Sequence, residues 1–547
     1  MYLLLNTFWF VWMLKYTLFW LYLWQLKEYH IGRLVDHFKT SKGKKVLFSL
    51  EQIFKLVLVV FLLFTKDIFS FIFSITVLLY FGEVLIFVRV IFKKSFKKPV
   101  KTFKTLFLTL VSFSALVLFL IWNSNYPQSD QILWLLIFDI ATPVIISAIV
   151  LLFQPFFVLA RNLKLKKAKA KLEKIRQLSK VKVIAITGSY GKTSTKEFLT
   201  TILSKKFKVL STSAHQNSEV GVANCILNDL KPSHEIFIAE VGAYNKGKVK
   251  EVCNILKPKI GIVTGVNGQH MSLFGSMENL LSAEGGGELA EFLIKDGTLI
   301  VNGDNKYCLN LYKNFSSNPS TSSGQAKLYS LSNKVIDADI WAENITVHKD
   351  FISFIAIDRH REATHFDVKV LGKQNVQNLL GSILVAKQLG MTFGEISEAC
   401  KNIKQEQAGM TLKQEKHGIN IIDSSYSANP DGVFADLDYL SVFTCKKIVA
   451  MPCLIELGKS SAEIHEKIGK KIGEICDMAI ITSKDKFKEV ERGFNSVIPA
   501  EAGIQSRIIL IEKPEEIYSA ITTFCKSGDA VLLEGRVPAG LMKLLNE

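Results

Sequence analysis

The stretch Val181–Glu197, VKVIAITGSYGKTSTKE, decides how the larger part of this 547-residue chain folds. Val181–Thr187 is a short apolar run rich in β-branched residues, the pattern of a strand buried on both faces. Gly188-Ser189-Tyr190-Gly191 is a turn bounded by glycines, and Lys192-Thr193 opens an amphipathic helical stretch. A strand, a glycine turn and a helix N-terminus together make an anion site: unpaired backbone N–H groups point outward and the helix dipole favours negative charge. Lys192 then reaches the β- and γ-phosphates of a nucleotide, and the Thr193 hydroxyl binds Mg²⁺. Ile186 stands where the longer GxxxxGK[ST] pattern has its first glycine, so the motif is the shorter GxxGK[ST] form. The expected phosphate-binding residues run from Gly188, Ser189, Tyr190 and Gly191 through Lys192, Thr193 and Ser194.

Upstream of this stretch the composition changes. The first 160 residues are rich in Phe, Leu, Ile, Val and Trp, whereas the remainder reads as an ordinary α/β protein. A spanning helix needs about 20 largely apolar residues. Five segments fit: Leu3–Trp24, Val46–Phe64, Ile68–Phe92, Thr105–Trp122 and Ile132–Ala160. The second is the weakest, because it carries Glu51 and Lys55, and the Lys66-Asp67 break before the third is short. The first is too long, and has too many successors, for a cleaved signal peptide. Glu83 and Asp139 lie inside spans; a functional role for such acids competes with simple contact to a neighbouring helix.

The formal net charge of +17 admits a nucleic-acid partner. Much of the excess, however, sits beside the apolar runs, at Lys27–Lys45, Lys93–Lys104 and Arg161–Arg176. That placement reads as membrane-flanking charge, so membrane lipid is the expected partner and nucleic acid is not. The loop Asn123–Gln131 has no Lys or Arg. Under the positive-inside rule the N-terminus is external and the part after the fifth segment cytoplasmic. The eight cysteines form no CxxC pair, so they are expected to be buried free thiols.

Further motifs follow in order: AEVGAYNKGKV (Ala239–Val249), VNGQHMSLFGSMENL (Val266–Leu280), GKQNVQNLLGSILVA (Gly372–Ala386), IIDSSYSANPDG (Ile421–Gly432), ELG (Glu456–Gly458) and His465. With ITGSYGKTSTKE (Ile186–Glu197) they resemble the Mur ligases, ATP-dependent enzymes that join a carboxylate to an amine through an acyl phosphate. The likeness runs from about Val181 to the C-terminus. It implies that Glu240 binds Mg²⁺, that His270 is a metal-proximal imidazole, that Asn375 and Asn378 contact the adenine, and that Asp423 lies at the nucleotide. Lys192, His270 and Glu240 are thereby the expected catalytic residues, and Asn429, Pro430, His465 and Arg536 the expected substrate contacts. Structural alternatives are a strand-end acid at Glu240, a loop histidine at His270, helix caps at Asn375 and Asn378, and an exposed helix position at His465.

Departures from the family pattern carry information as well. Many members have a carbamoylated lysine after the histidine; here SAEGGGEL places Glu284, whose carboxylate stands in as an Mg²⁺ ligand. The paired acids before the SYNANP-like motif become Asp423-Ser424, and AGMTL (Ala408–Leu412) stands where an arginine is expected. The KGSR-like signature becomes LEGRVP (Leu533–Pro538), with Glu534 replacing a lysine and Arg536 retained. No uridine-binding domain precedes the phosphate loop. SSNPSTSSGQA (Ser316–Ala326) and NSVIPAEAGIQSR (Asn495–Arg507) read as insertions.

The expected architecture is an α-helical membrane domain (1–160), a basic linker (161–180), a central P-loop-type α/β ATP-binding domain (181–405) and a smaller Rossmann-like α/β C-terminal domain (406–547). The apolar segments and their flanking charge imply a multi-pass protein of the cell membrane with its later domains cytoplasmic, and the resemblance implies a ligase, expected to be a monomer. ATP and Mg²⁺ are the implied cofactors, with a peptidoglycan precursor and a dipeptide as small-molecule substrates; the members that add D-alanyl-D-alanine to UDP-MurNAc-tripeptide are the most similar. The alternatives are a related ligase acting on a lipid-linked carboxylate, a non-catalytic membrane scaffold, and an ATP-energised transporter, for which no signature is visible.

Overall fold

Apolar runs of four to six residues alternate with helical stretches from Lys182 onward, and that alternation builds parallel sheets covered on both faces. The computed structural model describes residues 2–64, 69–93, 95–214, 216–243, 245–268, 270–317, 324–332, 337–415, 417–426, 428–455, 457–497 and 507–546. The chain divides into two units, Met1–Asn162 and Leu163–Glu547.

The second unit holds two sheets. The first is built from β1 (Lys182–Thr187), β2 (Val209–Ser211), β3 (Ile236–Glu240), β4 (Ile260–Val263), β5 (Thr298–Asn302), β6 (Gln325–Ser330), β7 (Ile340–Val347), β8 (Ile352–Asp358) and β9 (Ala363–Val368). Their order is β2-β3-β1-β4-β5-β6-β7-β8-β9, parallel except for the antiparallel pairs β7–β8 and β8–β9. Alternate residues of β1 feed two cores: Ile184 and Ile186 pack with Phe198, Leu199 and Ile202, while Val183 and Ala185 pack with Val222, Phe237 and Val252. The chain leaves β1 for β2 on one side and later returns to β4 on the other. The C-terminal end of β1 is therefore a topological switch point, where open α/β sheets bind ligands.

The second sheet comprises β10 (Thr411–Gln414), β11 (Asn420–Ser424), β12 (Lys447–Met451), β13 (Met478–Ile481), β14 (Arg507–Leu510) and β15 (Ala530–Glu534), in the order β10-β11-β15-β12-β13-β14. Only β10 pairs antiparallel. The insertion stretches fall largely outside the described residues, at 318–323 and 498–506, as do Lys66, Asp67 and Glu456.

Among the described residues of the first unit, four helices are long and apolar enough to cross a membrane: Gly43–Phe64, Phe69–Phe92, Phe103–Asn123 and Gln128–Leu152. Five spans are expected from sequence. The first of them is helical over Tyr2–Leu26, but it stands outside the four, since Asn6, Lys15, Gln25 and its Trp and Tyr rings dilute its apolar character. The last expected span also stops early. Its helix ends at Leu152, and a new one, Gln154–Ser179, begins with Pro155 in its first turn, where a missing N–H costs nothing.

Glu83 and Asp139 face the helix Leu50–Phe64. The Lys55 ammonium, fully buried, lies 2.7 Å from Glu83 Oε1, 2.8 Å from Asp139 Oδ2 and 3.3 Å from Glu51 Oε1. Asp139 also accepts from the Trp12 indole at 3.1 Å and the Tyr80 hydroxyl at 3.0 Å. The charges that weaken the second span in a linear reading thus pair across the helices. Removing one member of such a set strands the rest in an apolar interior, at a cost of about 3–5 kcal/mol. Lys55→Met is expected to destabilise the helical unit by about that amount, read as a lower unfolding midpoint in detergent micelles. An unchanged midpoint would show that Lys55 does not hold the acids in place.

Candidate functional site

Gly188 and Gly191 take φ of 141° and 75°, values that L side chains rarely adopt. These angles swing the chain out of β1 and back into the helix Lys192–Leu203. The Ser189 N–H donates to the Gly265 carbonyl at 2.7 Å, tying the turn to the end of β4. Tyr190 packs where a Cβ on Gly265 would stand, and its hydroxyl accepts from Asn305 at 3.2 Å.

Two carboxylates converge on this turn. The Thr193 hydroxyl lies 3.1 Å from both oxygens of Glu240, at the end of β3. Glu240 is 4% exposed. It also accepts from Asn217 at 3.1 Å, and the buried Lys196 ammonium sits 3.5 Å from it. On the other side, the Ser189 hydroxyl donates to Glu284 Oε2 at 2.8 Å, and His270 Nδ1 lies 2.9 Å from Glu284 Oε1. Burial pushes the Glu284 carboxyl upward. The His270 hydrogen bond and charge, the Lys192 charge and the Ser189 hydroxyl outweigh it and hold Glu284 below the ordinary carboxylate value.

The residues fit a nucleotide phosphate with a divalent ion. The Lys192 ammonium folds back onto the carbonyls of Gly188 and Ser189, a cation parked on its own loop. The Thr193 hydroxyl has one proton to share between two Glu240 oxygens and Asn217 gives one more, so part of that carboxylate's acceptor capacity stays open. Hydroxyl and carboxylate ligands suit a hard cation near phosphate, although among the described residues no three His, Cys, Asp or Glu side chains stand together as a metal cluster.

The other expected residues are placed as follows. Ser194 Oγ donates to the Ala408 carbonyl at 3.3 Å. Asn378 donates to Asn375 Oδ1 at 3.0 Å and sits 3.4 Å from the Thr195 hydroxyl, while Asn375 donates to the Leu371 carbonyl at 2.8 Å. Asp423 Oδ1 accepts from the Ser425 N–H and hydroxyl at 3.1 and 2.6 Å. Asn429 caps the helix Pro430–Leu440, with Pro430 in its first turn. Arg536 is exposed just after β15. His465 stands apart and, contrary to the exposed position weighed from sequence, is fully buried: its Nε2 accepts from the Leu454 N–H at 2.9 Å and its Nδ1 donates to the Ser461 carbonyl at 2.5 Å.

Several residues at the site were not singled out by motif. Asn267 reaches from the first sheet to Asp431 at 2.8 Å and Asn429 at 3.4 Å, joining the two halves of the unit. Tyr426 is half exposed; burial raises its hydroxyl pKa, Glu240 adds to the rise and Arg536 opposes it, so both charges lie within electrostatic reach of Tyr426. Lys196 and Asn217 bear on Glu240. Asn267, Lys196 and Tyr426 all lie within quoted motifs, but only the folded arrangement tells them from their neighbours.

Close by, Asp436 and Glu534 form a buried pair. Burial, the Asp436 charge and a hydrogen bond to Asp436 push the Glu534 carboxyl well above the ordinary range. The folded chain thus binds a proton there at pH values where the unfolded chain does not. Stability is full below the ordinary glutamate value, about 4.3, and falls as pH rises toward the elevated one. In chelator, the denaturant midpoint is expected to decline across that window in the wild type and to stay flat in Glu534→Gln. Equal slopes in the two proteins would remove the pair as the cause.

Residues 186–386 match the Mur ligase middle domain, and residues 410–537 match the glutamate ligase domain of Mur ligases. The chain is 26% identical over 296 residues to the UDP-N-acetylmuramoyl-tripeptide–D-alanyl-D-alanine ligase of Escherichia coli, covering 54% of this chain and 63% of that one. Against the same-named ligase of Borreliella burgdorferi it is 30% identical over 327 residues, 58% of this chain and 65% of the relative. The chain thus spans a little under two thirds of the length of these two relatives. Among solved structures, MurF from Acinetobacter baumannii superposes with a TM-score of 0.61 at 21% identity, covering 70% of this chain and 79% of that one. MurF from Thermotoga maritima in complex with ADP gives 0.58 at 23% identity, covering 69% and 80%. At these identities the superpositions speak for the fold.

Proposed function

Because the chain belongs to the Mur ligase family through its middle and C-terminal domains, we propose that it is an ATP-dependent amide ligase adding D-alanyl-D-alanine to UDP-MurNAc-tripeptide. The observation that carries this reading is the meeting of Thr193–Glu240 and Ser189–Glu284–His270 on one glycine turn. When bound, ATP with Mg²⁺ supplies the phosphoryl group that converts the substrate carboxylate to an acyl phosphate, from which the incoming amine displaces phosphate.

The chain's own residues do the rest by position and charge. Lys192 exchanges its loop carbonyls for phosphate oxygens. Thr193, Glu240, His270 and Glu284 hold the metal, with Asn217 and Lys196 aiming Glu240. The backbone from Gly188 to Ser194 cradles the phosphates. Asn375, Asn378 and Asp423 border the nucleotide, and Asn429, Pro430 and Arg536 face the substrate. His465 contributes at one remove, by fixing the Leu454 backbone. The domain limits 181–405 and 406–547 mark the two halves that close on ATP, and the chain acts as a monomer. The helices before residue 161 hold the ligase at the cell membrane with its catalytic domains in the cytoplasm.

A second reading, a lipid-linked carboxylate substrate, is favoured by the four apolar helices. The full chain in detergent, given ATP, Mg²⁺, UDP-MurNAc-tripeptide and D-alanyl-D-alanine, is expected to release phosphate and yield the pentapeptide mass. ATP turnover only with a lipid-linked carboxylate would favour the second reading. Lys192→Ala is expected to lower coupling by about a hundredfold or more; an untouched rate would end the ligase assignment.

Glu284 is already anionic, so the metal site needs no carbamate and turnover is expected to be independent of CO₂. Glu284→Gln should raise the Mg²⁺ concentration needed for half-maximal rate. A Gln variant with wild-type Mg²⁺ dependence would exclude Glu284 from the metal site.

A further inference from the structure

Asp436, on the helix Pro430–Leu440, and Glu534, at the end of β15, are 5% and 1% exposed. Asp436 is well supplied with donors: the Ser424 hydroxyl at 2.5 Å and Gln374 Nε2 at 3.1 Å. Glu534 is not. Among the described residues no N–H or hydroxyl donor reaches either of its buried oxygens, whose one polar partner is the Asp436 carboxyl, and Gln374 Oε1 is buried without a donor too. The charged neighbour that bears on Glu534 is another acid, Asp436. A buried carboxylate aimed at a second carboxylate is costly unless positive charge lies between them.

We propose that Asp436 and Glu534, together with Ser424 Oγ and Gln374 Oε1, bind a hard divalent cation, separate from the metal at the phosphate loop. The donors are all oxygens, and carboxylates with an amide carbonyl and a hydroxyl are ligands that Mg²⁺ and Ca²⁺ accept. Two carboxylates match a double positive charge. Gln374 is only partly buried, which leaves a way in. Turning its amide over exchanges Nε2 for Oε1 within the same envelope and aims an uncommitted acceptor at the ion.

Gln374 opens the helix Gln374–Gln388 of the middle domain, whereas Asp436, Glu534 and Ser424 belong to the second sheet and its helices. The ion would therefore tie the two domains together at their seam. Without it, the elevated Glu534 carboxyl keeps its proton. With it, one proton leaves Glu534 for solvent as one divalent ion enters, and ligand deprotonation makes the affinity pH-dependent.

The test uses the full chain in detergent without nucleotide, so its outcome is independent of whether the ligase reading holds. Mg²⁺ and Ca²⁺ are titrated by calorimetry in two buffers of different ionisation enthalpy, and Mn²⁺ is counted by electron paramagnetic resonance. The wild type is expected to bind one ion more than Glu534→Gln, to release a proton on binding it, and to gain thermal stability that the variant does not gain. Glu534→Gln is neutral and nearly isosteric, so it should fold; its ion-free unfolding midpoint checks this. Glu534→Lys, which builds a permanent positive charge into the pair, should also bind one ion fewer. Equal ion counts and equal thermal shifts in wild type and Glu534→Gln would overturn the proposal. So would a wild type that binds no additional ion and keeps the pair neutral by its proton alone.

Discussion

Two left-handed glycines at the end of one strand carry the architecture of the site. Gly188 and Gly191 let the chain reverse within four residues, so that the helix Lys192–Leu203 starts directly over β1. A bulkier residue at either position meets a neighbour: Thr264 and Gly265 for the first, Asn378 for the second. Every other feature of the site is referred to this turn. Thr193 meets Glu240 because β3 lies beside β1, and Ser189 meets Glu284 because the chain after β4 folds back along the same edge. The sheet order supplies the neighbours and the turn supplies the direction.

A second constraint is charge neutrality in dry surroundings. Glu240 is approached by Lys196, and Glu284 by His270 and Lys192, which hold the Glu284 carboxyl below its ordinary value against the effect of burial. The helical unit solves the same problem with Lys55 set among Glu51, Glu83 and Asp139. In both units the acids are useful or tolerable because of a partner distant in sequence. Asp436 and Glu534 are the departure from that rule, since neither has a cation beside it among the described residues.

How much of this was readable from the linear chain follows from the same physics. The phosphate loop was legible because its chemistry is local: a buried strand, two glycines and a helix start within the twelve residues Val181–Lys192. The α/β character after residue 160 was legible in composition, and its division into a middle and a C-terminal part came through the order of the family-like motifs. The helical unit was legible as apolar segments but not in its count, because Trp and Tyr rings serve either a span or a packed core; Trp9, Trp12, Trp20 and Trp24 are all buried. Pairings across long separations left no local mark. Lys55 read as a flaw in a span until Asp139, 84 residues on, was seen beside it. His465 read as a substrate contact by its place after a motif, whereas its ring nitrogens are spent on the Leu454 and Ser461 backbone.

The seam between the two sheets shows how these constraints combine. Asn267 reaches across it to Asp431 and Asn429, and Gln374 reaches across it to Asp436. Both contacts are single amide side chains, soft joints that can break and reform at about 0.5–1.5 kcal/mol each. Apolar packing accompanies them, since Leu371 joins Met410, Val433 and Leu437 in one core cluster and the Tyr439 hydroxyl donates to the Lys349 carbonyl. The acid pair lies against one of these joints. Gln374 donates to Asp436 there, so the proposed exchange of proton for metal at the pair bears on whether Gln374 presents a donor or an acceptor to the other domain.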